Sequence, residues 1–173
     1  GFYVADPSGN DLLFSGNPRN EYTLSTRFRL TGNTSQNGGI GIFFETAVNK
    51  DNQYRDSGYI LQFDRGYGNG EIIIRKRENG TENTTPVKRI STFPDGTRIP
   101  IRTDNEWWES EKELSLSVKE SATAGKKLIT VILDGKVMLK DFEIDSDIES
   151  ANNHTGFRGW NNSPVTISEV IIE

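Results

Sequence analysis

The stretch Gly58–Asn79 restricts the fold of this chain more than any other segment. It reads GYILQFDRGYGNGEIIIRKREN, two runs of alternating side chains joined by a glycine-rich turn. Because successive side chains of a β-strand point to opposite faces, the alternation predicts a hairpin. One face carries apolar residues such as Leu61 and Ile74, whereas the other carries an amide, carboxylates and guanidinium groups. Such a face suits a neutral, hydroxyl-rich ligand and offers no serine or cysteine nucleophile.

The same period of two recurs along the chain, with turn signals between the runs. Asn79-Gly80 and Asp134-Gly135 are hairpin turns of the kind that require positive φ. No segment has sustained helical periodicity; only Glu106–Lys112 and Asp141–Ser150 suggest short helical turns. The predicted strands are Tyr22–Leu30, Gly39–Thr46, Gly58–Arg65, Gly70–Glu78, Val87–Ile90, Glu113–Glu120, Lys127–Leu133, Lys136–Phe142, Thr155–Trp160 and Thr166–Ile172. This pattern predicts an all-β fold, a two-sheet antiparallel β-sandwich of the jelly-roll type, as one domain over residues 1–173.

Composition excludes several classes of function. The net charge is −5 and the pI about 5.1, which gives no case for nucleic-acid binding. The chain has no cysteine, so disulfides, thiolate metal sites and a cysteine nucleophile are excluded. No apolar run is long enough for a membrane span or a signal peptide, so we expect no membrane insertion by this module. The chain begins at Gly1 without an initiator methionine, and we expect it to be a module excised from a longer surface protein.

A series of motifs resembles the concanavalin A-like lectin and glucanase sandwiches. Each motif is weak alone, but their order is similar over nearly the whole chain. The matching segments are Tyr22–Arg29, Gly38–Phe44, Gly58–Arg65, Glu113–Val118, Thr130–Lys136, Gly156–Trp160 and Val165–Ile171. Within that superfamily the chain resembles fructan-binding modules of levanases. Its GYILQFDRGYGNGE wording also resembles lectin modules attached to Gram-positive type IV minor pilins. The resemblance implies a non-catalytic lectin, the adhesive head of a pilus or similar adhesin, extracellular on the bacterial surface, with host or environmental glycans as partners.

Carrying the alternation across neighbouring strands predicts one carbohydrate-binding site on a shared concave face. Carboxylates accept hydrogen bonds from sugar hydroxyls, and arginine and glutamine donate to them. A tryptophan ring packs against the C–H face of a sugar. Arginine also pairs with a carboxylated sugar, so an acidic glycan stays open as the ligand. The predicted site residues are Glu45, Gln62, Asp64, Arg75, Arg158 and Trp160. The competing interpretation is a solvated ladder of cross-strand charges that binds nothing.

Two alternative functions, a glycoside hydrolase and a protein-binding module, are weighed against the lectin. A glycoside hydrolase needs two facing carboxylates, and Glu45 with Asp64 is the only plausible pair, so we predict no enzymatic activity. A laminin-G-like module would bind protein partners through its rim. We predict no cofactor, although the Asp- and Asn-rich loops Ala47–Ser57 and Ser8–Asp11 are candidates for structural calcium.

The positions of several single residues are also predicted. Arg27 and Arg29 are expected at a sheet edge, and His154 on the surface. Of Trp107 and Trp108, one is expected to pack in the core.

Overall fold

The computed structural model describes residues 2–4, 11–14, 19–30, 37–49, 55–160 and 165–173. Thirteen strands occur among them. They are β1 (Phe2–Val4), β2 (Asp11–Phe14), β3 (Tyr22–Leu30), β4 (Gly39–Asn49), β5 (Arg55–Asp64), β6 (Glu71–Glu78), β7 (Thr81–Glu82), β8 (Lys88–Ile90), β9 (Lys112–Glu120), β10 (Lys126–Leu133), β11 (Lys136–Asp145), β12 (His154–Trp160) and β13 (Val165–Ile172). One short helix, α1 (Asn105–Glu109), and a 3₁₀ turn at Ser150–Asn152 complete the described elements.

The strands form two antiparallel sheets that pack face to face. Within the described residues, the larger sheet has eight strands in the order β1-β2-β12-β4-β5-β6-β7, with β8 also paired to β6. The smaller sheet has five strands in the order β11-β10-β9-β3-β13. The predicted all-β jelly-roll sandwich is therefore confirmed. No helix in the described part of the chain is long and apolar enough to cross a bilayer.

The main core lies between the two sheets and follows from the alternation in the sequence. On β5 the inward residues are Tyr59, Leu61 and Phe63, which are almost completely buried. They meet β3 of the smaller sheet, where the rings of Phe28 and Phe63 pack edge to face with centroids 5.2 Å apart. Burying such apolar side chains supplies most of the stabilisation of a sandwich of this kind, about 1.5–3 kcal/mol for each large residue. The packing also fixes which face of β4, β5 and β6 remains for other uses.

Three predictions about local structure are wrong. Arg27 and Arg29 do not lie at a sheet edge, because β3 pairs with β9 on one side and β13 on the other. The helical turn expected from Asp141 onward is instead the end of β11, which continues to Asp145. His154 is not a surface residue: it is buried, and its Nε2 lies 3.2 Å from Asn152 Oδ1.

Two predicted hairpin turns and one predicted helical turn are confirmed. Asn79-Gly80 and Asp134-Gly135 all have positive φ, as two-residue hairpin turns require. Helix α1 overlaps the helical turn predicted at Glu106–Lys112, and the Asp104 side chain caps it by accepting from Trp107 N at 3.0 Å. Trp108 packs in the core and its neighbour Trp107 is half-buried, as expected for this pair.

Candidate functional site

Five of the six predicted site residues lie on one face of the larger sheet, turned away from the main core. The pairing register of β12, β4, β5 and β6 places their side chains in transverse rows. From β12 to β6 the rows are Trp160, Gly39, Asp64 and Glu71, then Arg158, Gly41, Gln62 and Ile73, then Gly156, Phe43, Ile60 and Arg75. The four strands therefore lie side by side, and their polar side chains share one face of the sheet, as the alternation predicts.

Glu45 is the exception, and its predicted place on this face is wrong. A β-bulge interrupts the β4–β5 register between Phe44 and Ala47, and Glu45 has a φ of 43°. The extra residue breaks the alternation, so the Glu45 side chain leaves the polar face. Its carboxylate is completely buried and accepts hydrogen bonds from Ser146 Oγ at 2.6 Å and Asn153 Nδ2 at 2.5 Å. Glu45 thus joins β4 to the segment that precedes β12.

Glu82 lies at the centre of the polar side chains, although sequence reasoning missed it. Its Oε1 accepts from Gln62 Nε2 at 3.0 Å, from Arg77 at 2.8 Å and from Arg158. Arg75 Nε lies 3.9 Å from its second oxygen. We call this set the polar face: it comprises Gln62, Asp64, Arg75, Arg77, Glu82, Arg158 and Trp160. One carboxylate therefore connects side chains from β5, β6, β7 and β12.

A sequence signal for Glu82 existed. Asn79-Gly80 is a two-residue turn, and such a turn sets the pairing of the residues around it. The structure shows this register, with Glu78 opposite Thr81 and Arg77 opposite Glu82. Extending the hairpin beyond Asn79 would have placed an acidic residue directly across from an arginine.

Arg77 anchors the base of the polar face. It donates to Asp56 through Nε at 2.5 Å and through a second nitrogen at 2.9 Å, and both side chains are almost fully buried. Its guanidinium also lies over the Phe43 ring, 5.3 Å from the centroid. Because a guanidinium held in this way has few alternative positions, Arg77 presents a fixed donor to Glu82.

Arg75 and Tyr67 form the rim beside the hairpin. Arg75 donates to the carbonyl oxygens of Asn83 and Thr84 at 2.7 and 2.6 Å. Its guanidinium lies 5.1 Å from the centroid of the Tyr67 ring, and Arg89 lies 5.3 Å from the same ring. Two cations thus contact one aromatic ring, which holds Tyr67 at the rim of the site.

Asp64 is positioned by the turn that follows its strand. Its Oδ1 accepts from the backbone N–H groups of Gly66 at 2.7 Å and Tyr67 at 3.1 Å. Burial raises the pKa of Asp64 above its ordinary value of 3.8, whereas these two backbone hydrogen bonds and nearby Arg75 act in the opposite direction. These two hydrogen bonds fix one oxygen of the Asp64 carboxylate and thereby define the orientation of the whole group.

Two glycines on β4 let larger neighbours lie against the sheet. A Cβ at Gly39 would lie 2.4 Å from the Trp160 ring, and one at Gly41 would lie 2.3 Å from the Ile60 side chain. The Trp160 indole N–H donates to Asn37 O at 2.9 Å, which fixes the plane of the ring. The result is a half-buried aromatic surface in the same row as Asp64.

Two buried polar atoms of the polar face have no hydrogen-bond partner among the described residues. They are Gln62 Oε1, an acceptor, and Arg75 Nε, a donor. Buried polar groups in proteins are nearly always paired, with protein or with water. Because both atoms are closed to solvent, the unpaired acceptor and donor beside the same carboxylate are suited to a buried water, which both donates and accepts.

A cleft of about 400 Å³ opens between the two sheets at one end of the sandwich. Its lining includes Tyr59, Lys76, Asp145 and Asp147, and it shares Arg77 with the polar face. The described residues contain no cluster of three or more His, Cys, Asp or Glu arranged to hold a metal ion. Most of the Asp- and Asn-rich loop residues considered for calcium lie outside the described residues, so that expectation stays untested.

Comparison with solved structures returns galectins and a carbohydrate-binding module at low sequence identity. A tetrameric galectin from the ball sponge Cinachyrella sp. has a TM-score of 0.56 at 8% identity, over 92% of this chain and 96% of the galectin. The carbohydrate-binding module CBM66 from Bacillus subtilis has a TM-score of 0.54 at 13% identity, over 100% and 91%. Sheep galectin-11, solved in complex with glycerol, has a TM-score of 0.52 at 10% identity, over 95% and 98%. This chain has the same fold. No protein-family model matches the sequence, and neither does any curated protein.

Proposed function

We propose that this chain is a non-catalytic glycan-binding module and that a saccharide binds on the polar face. The observation that carries the proposal is the convergence of Gln62, Arg77 and Arg158 on Glu82, beside the fixed ring of Trp160. Hydrogen bonds between these side chains hold them in place before any ligand arrives, so little conformational entropy is lost on binding. A solvated ladder of charges would not require the bidentate anchoring of Arg77 or the fixed indole.

The chemistry of the face matches the chemistry of a sugar. Vicinal hydroxyls both donate and accept, and the partly exposed Arg158 and Glu82 side chains supply a donor and an acceptor. The ring of Trp160 supplies an apolar surface for the C–H face of a pyranose or furanose. The galectins and the carbohydrate-binding module that share the fold support this interpretation.

The non-catalytic part of the proposal rests on how the carboxylates are held. Asp64 and Glu82, the carboxylates of the polar face, each already accept hydrogen bonds from this chain. Glu45, the other member of the only pair that the sequence suggested, is buried away from the face. Hydrolysis of any oligosaccharide by the purified protein would overturn this part of the proposal.

The finer proposal is that the module is the adhesive head of a type IV minor pilin or a similar bacterial adhesin. It rests on the resemblance of the Gly58–Glu71 wording to lectin modules of Gram-positive pilins. Antibodies raised against the module should label intact cells of the source organism. Labelling only after the cells are permeabilised would contradict an extracellular position.

Replacing Trp160 with alanine is expected to weaken glycan binding at least about tenfold, which corresponds to about 1.4 kcal/mol. The reason is the loss of the aromatic surface next to Asp64. The measurement is a glycan array to find a ligand, followed by calorimetric titration of that ligand.

The matched control is Trp107→Ala, which removes a half-buried indole on helix α1, outside the polar face. Equal losses for the two variants would show that the tryptophan effect is structural. Binding to a protein partner with no response to any glycan would favour the laminin-G-like alternative.

A further inference from the structure

Together with the buried Asp56, the polar face carries three positive and three negative side chains among the described residues. The positive groups are Arg75, Arg77 and Arg158, and the negative groups are Asp56, Asp64 and Glu82. Asp56 neutralises Arg77 from below, where both side chains are buried. Glu82 is therefore the carboxylate that faces the remaining arginines at the surface.

Glu82 occupies the position that the carboxylate of an acidic ligand would take. Its Oε1 receives one amide and two guanidinium donors, the arrangement with which proteins recognise carboxylates. The side chain is 23% exposed and that of Arg158 is 30% exposed, so both lie within reach of a ligand. A uronic acid approaching this cluster would meet a negative charge at its centre, whereas a neutral saccharide would not be repelled by it.

We propose that Glu82 determines specificity by excluding acidic glycans, so that the polar face selects neutral saccharides. This inference rests on the proposed function and names the ligand class for the same site. A specificity device of this kind works by repulsion, because the fixed charge penalises the rejected ligand. Among these six described side chains, loss of the Glu82 charge leaves three arginines and two carboxylates, a balance that favours an anionic ligand.

Arg75 and Arg77 have hydrogen bonds that do not depend on the Glu82 charge. Arg77 keeps two hydrogen bonds to Asp56 and one to Gly80 O at 3.1 Å. Arg75 keeps the carbonyl oxygens of Asn83 and Thr84. A Glu82→Gln variant retains the size of the side chain and one carbonyl acceptor, so the donors should stay close to their present positions.

The test is a glycan array printed with matched pairs, each a neutral glycan and its uronic acid counterpart, such as methyl-esterified and free oligogalacturonides. We expect wild type to prefer the neutral member of each pair. In Glu82→Gln the ratio of acidic to neutral binding should rise at least about tenfold, and added salt should reduce this gain because it screens charge. Thermal unfolding of both proteins confirms that the variant is folded.

The matched control is Glu78→Gln, which removes the same charge from the same hairpin. The Glu78 side chain is 61% exposed and pairs with Lys76 at 3.6 Å, not with the arginine cluster. A rise in acidic binding no greater than in this control would overturn the inference, and so would a wild-type preference for uronates. If wild type binds neutral glycans and Glu82→Gln shows no acidic gain, only the inference fails. If neither protein binds any glycan, the proposed function fails with it.

Discussion

Replacing Arg77 with methionine is expected to lower the free energy of unfolding by about 3–5 kcal/mol. The Arg77 side chain is 3% exposed and Asp56 is 4% exposed, so the variant leaves a buried carboxylate without its cation. Methionine retains the apolar contact with the Phe43 ring, which isolates the loss of charge and hydrogen bonds. Urea denaturation followed by circular dichroism measures the change.

Two further variants make this result interpretable. Arg27→Met removes an exposed arginine that pairs with Glu113 at 3.1 Å, where the side chains are 48% and 66% exposed, and should cost less than about 1 kcal/mol. The double variant Asp56→Leu with Arg77→Met removes both buried charges and should recover much of the lost stability. An Arg77→Met protein as stable as Arg27→Met would show that the buried pair does not anchor the polar face.

Gly58→Ala is expected to destabilise the protein by about 3 kcal/mol or more, since overpacking adds to an unfavourable backbone conformation. Gly58 has a φ of 149°, and an added Cβ would lie 2.0 Å from Glu45 O and 2.6 Å from Thr46 Cα. Both contacts are with backbone of the β4 bulge, which cannot rotate away as a side chain could. The measurement is again the free energy of unfolding in urea.

Gly96→Ala separates the two contributions to this effect. Gly96 also has positive φ, at 85°, but a Cβ there would meet nothing within 4 Å. That variant should cost about 1 kcal/mol, the strain of the backbone conformation alone. Gly58→Ala could instead lower the free energy of unfolding no more than Gly96→Ala does. In that case the β4 bulge is not tightly packed, and its packing does not explain why Glu45 leaves the polar face.

The alternation of side chains was enough to predict the fold and most of the shared face. β3 spans the residues predicted for it, and the strands that carry Gln62, Asp64, Arg158 and Trp160 lie side by side. This success follows from the period of two, because burial of one face dictates the position of every second residue. Local pattern and tertiary packing agree in this part of the chain.

The failures occur where the local pattern does not determine the outcome. The sequence around Glu45 does not predict a bulge. The extra residue depends on the register between β4 and β5 and on the hydrogen bonds that Ser146 and Asn153 donate to Glu45. The short strands β1, β2 and β7 have no periodicity to detect, because each has four residues or fewer. Glu82 belongs to one of these, and its role depends on side chains that come from distant parts of the sequence.

Binding of a glycan on the polar face should be visible in the indole N–H signals of a nitrogen–proton NMR spectrum. The chain has three tryptophans, and they report on different places: Trp108 in the core, Trp107 on helix α1 and Trp160 on the polar face. On saturation with a glycan that binds, we expect the Trp160 signal to shift, because its N–H is fixed by Asn37 O and its ring contacts the ligand. The Trp107 and Trp108 signals should stay in place. An unchanged Trp160 signal, or a shift confined to Trp107 or Trp108, would contradict a site on this face.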